Sequence, residues 1–157
     1  MFKEKEIVLA FIKDIRPPKK KFLITLYRDN ELNLLACFTT SQHRIPILPE
    51  KLHHGVIKQD NDPIGYVFDR NIPIGTNPET GNCFSFNKRT LIPFDYSIQE
   101  GTLEKFMNRV EEPQIVCILN DKEFEKLLYA MYRSPNTPQK YIPILEKALQ
   151  DYYSKMK

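Results

Sequence analysis

Phe22-Leu-Ile-Thr-Leu-Tyr27, Asp29-Asn-Glu31 and Leu32-Asn-Leu-Leu-Ala-Cys-Phe-Thr-Thr40 decide the fold. The first run is rich in β-branched and aromatic side chains, which pack well on a pleated surface. The middle three residues are short and polar, the chemistry of a tight turn. The last run returns to apolar residues, so the two flanking runs are expected to pair as a β-hairpin. Upstream, Ile7-Val-Leu-Ala-Phe-Ile12 reads as a short buried strand, separated from the hairpin by Pro17 and Pro18.

Downstream, prolines and glycines break residues 41–81 into short segments such as Gly65-Tyr-Val-Phe68, and no clear strand pattern emerges. Order returns at Cys83-Phe-Ser-Phe86, where Phe84 and Phe86 would share one strand face, and continues through Thr90, Ile92 and Phe94. The last third changes period. Thr102 is placed to cap a helix carrying Leu103, Phe106, Met107 and Val110. Ile115 to Leu119 is a further strand, and Asn120 or Asp121 caps a helix through Phe124, Leu127, Leu128 and Met131. A final helix starts near Pro143 and buries Leu145, Leu149 and Tyr152 or Tyr153. The expected class is α+β, mainly antiparallel, with a β domain over residues 1–100 and a helical extension over residues 101–157.

Composition removes several functions. With 41% hydrophobic and 27% charged residues, the chain has a globular balance that excludes disorder. Its longest apolar runs fall far short of the roughly 20 residues that cross a bilayer, so no membrane association is expected. The charged start, Met1-Phe-Lys-Glu-Lys-Glu6, lacks a signal peptide's apolar centre, and a cytoplasmic location is expected. Cys37, Cys83 and Cys117 lack CxxC spacing and read as buried, reduced thiols. His43, His53 and His54 lack the spacing of a helical zinc site, so neither metal nor cofactor is expected, and His53-His54 reads as a solvated loop pair. No phosphate-binding loop, nucleophile elbow or dinucleotide fingerprint occurs.

Charge is more informative. Between Arg16 and Lys58 eight basic residues face three acidic ones, a balance that attracts polyanions. The expected hairpin brings the start of one strand and the end of the next to the same open end. Arg16 and Lys19-Lys-Lys21 would there meet Thr39, Thr40, Ser41 and Gln42. Cationic donors beside hydroxyl and amide groups suit a phosphate.

These features resemble the MazF/PemK family of toxin endoribonucleases. The resemblance is carried by an early strand, Arg16-Pro17, an apolar strand, a turn with Asn30, a strand closing in Thr40-Ser41-Gln42, and the later Arg89-Thr-Leu-Ile-Pro-Phe-Asp95. It covers roughly the first hundred residues, thinly between Ile45 and Asn82. It implies an SH3-like β-barrel and a metal-independent endonuclease in which an RNA 2′-hydroxyl attacks its own phosphate. Arg16 and Thr40 match the family's catalytic positions. Lys19, Lys20, Lys21, Thr39, Ser41, Gln42 and Arg89 would then bind substrate, with Phe84 and Phe86 as stacking faces. RNA, a second copy of the chain and an antitoxin protein are the implied partners. The chain departs from the family in Pro18-Lys-Lys-Lys21, which lengthens the path from Arg16 to the second strand, and in its helical extension. The alternative reading is a non-catalytic SH3-like module binding nucleic acid or a protein.

Overall fold

A computed structural model describes residues 1–156 as an α+β protein with two open, mainly antiparallel sheets and three α-helices. The chain runs β1 (Glu6–Ile12), β2 (Lys19–Arg28), β3 (Asn33–Phe38), β4 (Gly55–Gln59), β5 (Asp62–Phe68), β6 (Gly75–Thr76), β7 (Cys83–Phe84), β8 (Thr90–Pro93) and β9 (Ile98–Thr102). Then follow α1 (Leu103–Arg109), β10 (Val110–Leu119), α2 (Asp121–Arg133) and α3 (Ile142–Lys155). The large sheet has the order β7-β6-β10-β1-β2-β3-β9, and the small one β4-β5-β8.

The hairpin forms as expected. β2 and β3 pair antiparallel, with Leu23 opposite Phe38 and Ile24 opposite Cys37. Asp29 closes the turn by accepting hydrogen bonds at Oδ1 from the Glu31 and Asn33 amides, both at 2.9 Å. β1 lies beside β2 and reads as an unbroken apolar run because both of its faces are covered. Ile7 packs in a core shared with β5, α2 and α3, whereas Val8, Ala10 and Ile12 pack with Phe2, Leu23, Ala36 and Phe106 on the opposite face.

Residues 41–81, read as loosely ordered, contain a second hairpin. β4 and β5 meet at Asp60-Asn61, whose φ angles of 53° and 70° belong to a two-residue hairpin turn. α2 packs on this hairpin, and a small core of Ile45, Leu52, Ile57, Ile64, Val67 and Leu91 lies beneath the preceding loop.

The helices begin where expected. Thr102 and Asn120 accept hydrogen bonds from the Lys105 and Glu123 amides, at 3.2 and 2.9 Å. The strand before α2 is longer than the Ile115–Leu119 expectation. It starts at Val110 and passes a bulge where Glu112 takes a φ of 51°. β10 pairs with β1 on one side and β6 on the other, so a division at residue 100 runs through one continuous sheet. Leu145, Leu149 and Tyr152 of α3 are buried as expected, and Tyr153 is the exposed member of that pair. Among the described residues no helix is long and apolar enough to cross a membrane.

Candidate functional site: a cationic groove at the open end of the hairpin

Strand register builds the groove. Ala10, Phe11 and Ile12 of β1 lie opposite Lys21, Lys20 and Lys19 of β2. Extending the Leu23–Phe38 register by two residues sets Lys21 opposite Thr40. After β3 the chain bridges to the small sheet. The Thr40 and Leu91 backbones exchange hydrogen bonds of 2.9 and 2.8 Å, which fixes Thr40 at the seam between the sheets.

A cleft of about 180 Å³ results, lined by Lys19, Lys20, Lys21, Phe22, Thr39, Thr40, Ser41 and Gln42. Seven of the nine residues expected to form a site therefore meet. A second lobe, also about 180 Å³, shares Lys21, Thr39 and Thr40 and extends past Ile15, Phe38, Pro93, Tyr96, Ser97 and Gln99. Each lobe is smaller than the roughly 300–1,000 Å³ of a typical enclosed small-molecule pocket, so the shape suits one group of a longer ligand.

Local hydrogen bonds orient the lining. Thr40 Oγ1 accepts from the Gln42 amide at 3.1 Å, leaving its hydroxyl proton to donate elsewhere. Gln42 Oε1 accepts from Arg44 Nε at 2.9 Å, which turns the Gln42 amide nitrogen away from Arg44. Burial holds the Lys21 pKa below the ordinary lysine value, and the like charges of Lys19 and Arg44 push it the same way. Lys21 Nζ stands 5.9 Å from the Phe38 ring centre, and Arg109 Cζ stands 5.6 Å from it. Tyr96 is raised above the usual phenol range, chiefly by burial, with Arg44 opposing and Asp95 assisting.

Two expected site residues lie elsewhere. Arg16 is exposed in the loop before β2 and lines neither lobe, because Pro17 and Pro18 separate it from Lys19. Arg89 donates to Pro49 O at 2.8 Å and to Asp69 Oδ1 at 3.4 Å, so its guanidinium ties two loops together. Phe86 is no stacking face. It is buried, with its ring 4.9 Å from Phe22 and 5.5 Å from Phe68. Phe84 is half-buried against it. Cys37 and Cys117 are buried, and burial pushes the Cys117 thiol up to about 12, whereas Cys83 is exposed on the short edge strand β7.

Sequence reasoning missed a buried polar cluster. His54, read as a solvated loop residue, holds both Glu123 carboxylate oxygens at 3.0 Å through Nε2 and accepts the Asp69 amide at Nδ1 at 3.0 Å. Tyr66 donates to Glu123 Oε1 at 2.7 Å, and burial with the adjacent carboxylate drives its phenol far upward. Because Nδ1 accepts an amide, Nε2 carries the proton, and both ring nitrogens are committed. No nitrogen is left for a substrate, so the cluster clamps α2 to the small sheet. Its members are far apart in sequence, and only the chain's folding brings them together.

Tyr96, Ser97 and Gln99 were also missed as lining residues. Their one sequence signal is the polar step after Phe94, which reads as an ordinary turn. Comparisons of the chain with models of protein families, with curated proteins and with solved structures return no match, so the groove's own residues carry the functional argument.

Proposed function

We propose that the chain is a metal-independent RNA endonuclease whose substrate phosphate lies in the cleft between Lys19–Lys21 and Thr39–Gln42. One observation carries the reading: two adjacent strands bring a cationic run and a hydroxyl–amide run to the lining of one cleft. Lys19 and Lys20 neutralise the phosphate, and the Thr40 hydroxyl donates to a non-bridging oxygen. Burial lowers the Lys21 pKa, and its minor neutral form takes the 2′-hydroxyl proton. The 2′ oxygen then bonds to phosphorus, the bond to the 5′ oxygen breaks, and that oxygen takes a proton from water. The products are a 2′,3′-cyclic phosphate and a 5′-hydroxyl.

The lining residues include no carboxylate and no histidine, which favours Lys21 as the proton acceptor. Arg16 serves the flanking RNA in this reading. The two sheets, bridged at Thr40–Leu91, act as the walls of an SH3-like barrel in the manner of the MazF/PemK toxins. Cytoplasmic RNA is the substrate, and a second copy and an antitoxin protein are the expected partners.

Purified protein incubated with single-stranded RNA in excess EDTA tests the proposal. Cleavage to cyclic-phosphate ends is expected, rising with pH toward the Lys21 pKa. Lys21→Met and Thr40→Ala should each lower the rate by about 10²-fold or more, and Arg16→Ala by less than about tenfold. Cleavage that requires a metal ion, or that survives Lys21→Met, overturns the assignment.

A further inference from the structure

The second lobe differs in character from the cleft it adjoins. Lys21 of β2, Phe38 of β3, Ser97 just before β9 and Gln99 within it fall on one face of three adjacent strands. Phe38 N donates to Ser97 O at 3.0 Å, which fixes the side-by-side placement. Pro93, Ile15 and the 52% exposed Tyr96 complete an apolar rim. One lobe is thus cationic and hydroxylic, the other aromatic with a few polar groups, and Lys21, Thr39 and Thr40 belong to both. A nucleotide has the same division between phosphate and base.

The polar groups of this lobe are set in advance. Asp14 accepts from Arg109 at Oδ2, 2.6 Å from Nε, and at Oδ1, 3.3 Å from the terminal nitrogen. The other arm of the same guanidinium donates to Gln99 Oε1 at 2.6 Å. An arginine can only donate, so the Gln99 oxygen must face it, and the amide NH₂ is left as the group available to a ligand. Ser97 is only 3% exposed, and its hydroxyl has no hydrogen-bond partner among the described residues. A buried hydroxyl without a partner is uncommon, because losing water without a replacement is costly. With Lys21 and Thr40, these groups give the lobe a surplus of donors.

We infer that this lobe is a nucleobase site in which Gln99, positioned by Arg109 and Asp14, selects an unstacked base with a carbonyl at ring position 4, such as uracil, over one with an amino group there. The inference rests on the RNA reading above and adds the base class to it. Tyr96 offers the exposed ring on which such a base stacks. A cytosine in the same pose sets its 4-amino group, in place of the uracil O4, against the Gln99 NH₂, which leaves hydrogens opposed.

The test compares 2′-O-methyl hexamers of uridine and of cytidine, which match in size and resist cleavage. Fluorescence anisotropy should give about tenfold tighter binding of the uridine hexamer. Gln99→Met should erase that difference while leaving the slope of affinity against salt unchanged. Lys19→Met, which touches only the phosphate cleft, should weaken both hexamers alike and reduce the slope by about one. In the unmodified protein, the Gln99 side-chain amide resonance should shift on saturation with the uridine hexamer, a readout that needs no folded variant. Equal affinity for both hexamers, a preference that survives Gln99→Met, or an unmoved Gln99 amide overturns the inference while the RNA reading stands. Failure to bind either hexamer overturns both.

Discussion

Lys21 is set against its own charge. Burial, Lys19 and Arg44 all disfavour its ammonium, and no carboxylate among the groove residues offsets them. The folded pKa lies below the ordinary 10.5, so between those two values the unfolded chain holds the extra proton. Stability therefore rises with pH across that window and is reduced below it. Lys21→Met should raise the melting temperature at pH 7 by roughly 1–3 °C, since a half-exposed charge is partly screened. The gain should vanish above pH 10.5, and thermal melts at several pH values check it. His54 presents the opposite case, a polar group that serves the fold. Tyr66→Phe removes one donor from Glu123 and should cost about 1–2 kcal/mol by chemical denaturation, with RNA affinity unchanged.

At the scale of elements, β6 shows how tightly a two-residue strand can be held. Gly75 pairs with Leu119 of β10, and a Cβ there would press on the Ile118 carbonyl oxygen and come within 2.6 Å of Cys117 Sγ. Gly75→Ala should therefore destabilise by about 1–3 kcal/mol or more, through displacement of backbone from backbone. Retained stability in a urea melt would contradict that packing. Such approaches leave no local signal, which explains what was legible in the sequence. The β2–β3 hairpin, the caps Thr102 and Asn120 and the helical stripes rest on neighbouring residues, and they were readable. The β4–β5 hairpin carried the Asp60-Asn61 turn but lay among prolines that obscured it. The insertion of β10 between β1 and β6 is a pairing across a hundred residues, with no mark in either strand. The groove divides the same way. Lys19–Lys21 and Thr39–Gln42 were legible because one hairpin joins them. Arg109, Gln99 and Asp14 meet only through β9 and α1.

At the scale of the whole molecule, the helices complete the core. α2 covers the small sheet, and α3 packs on α2 and β2, so their apolar stripes are met within the chain. Leu145 is fully buried in that layer. Leu145→Glu should lower the melting temperature by more than about 10 °C, since an unpaired charge replaces a packed side chain. Its sedimentation should match the parent at temperatures where both are folded. The groove lies at the Lys19–Lys21 end of β2, and the proposed function turns on whether RNA binds there. Backbone amide shifts on titration with a 2′-O-methyl RNA hexamer measure this directly. The largest shifts are expected on Lys19 to Phe22 and Thr39 to Gln42. Shifts concentrated around His54, Arg89 or the faces of α2 and α3, with those two segments unmoved, would contradict it.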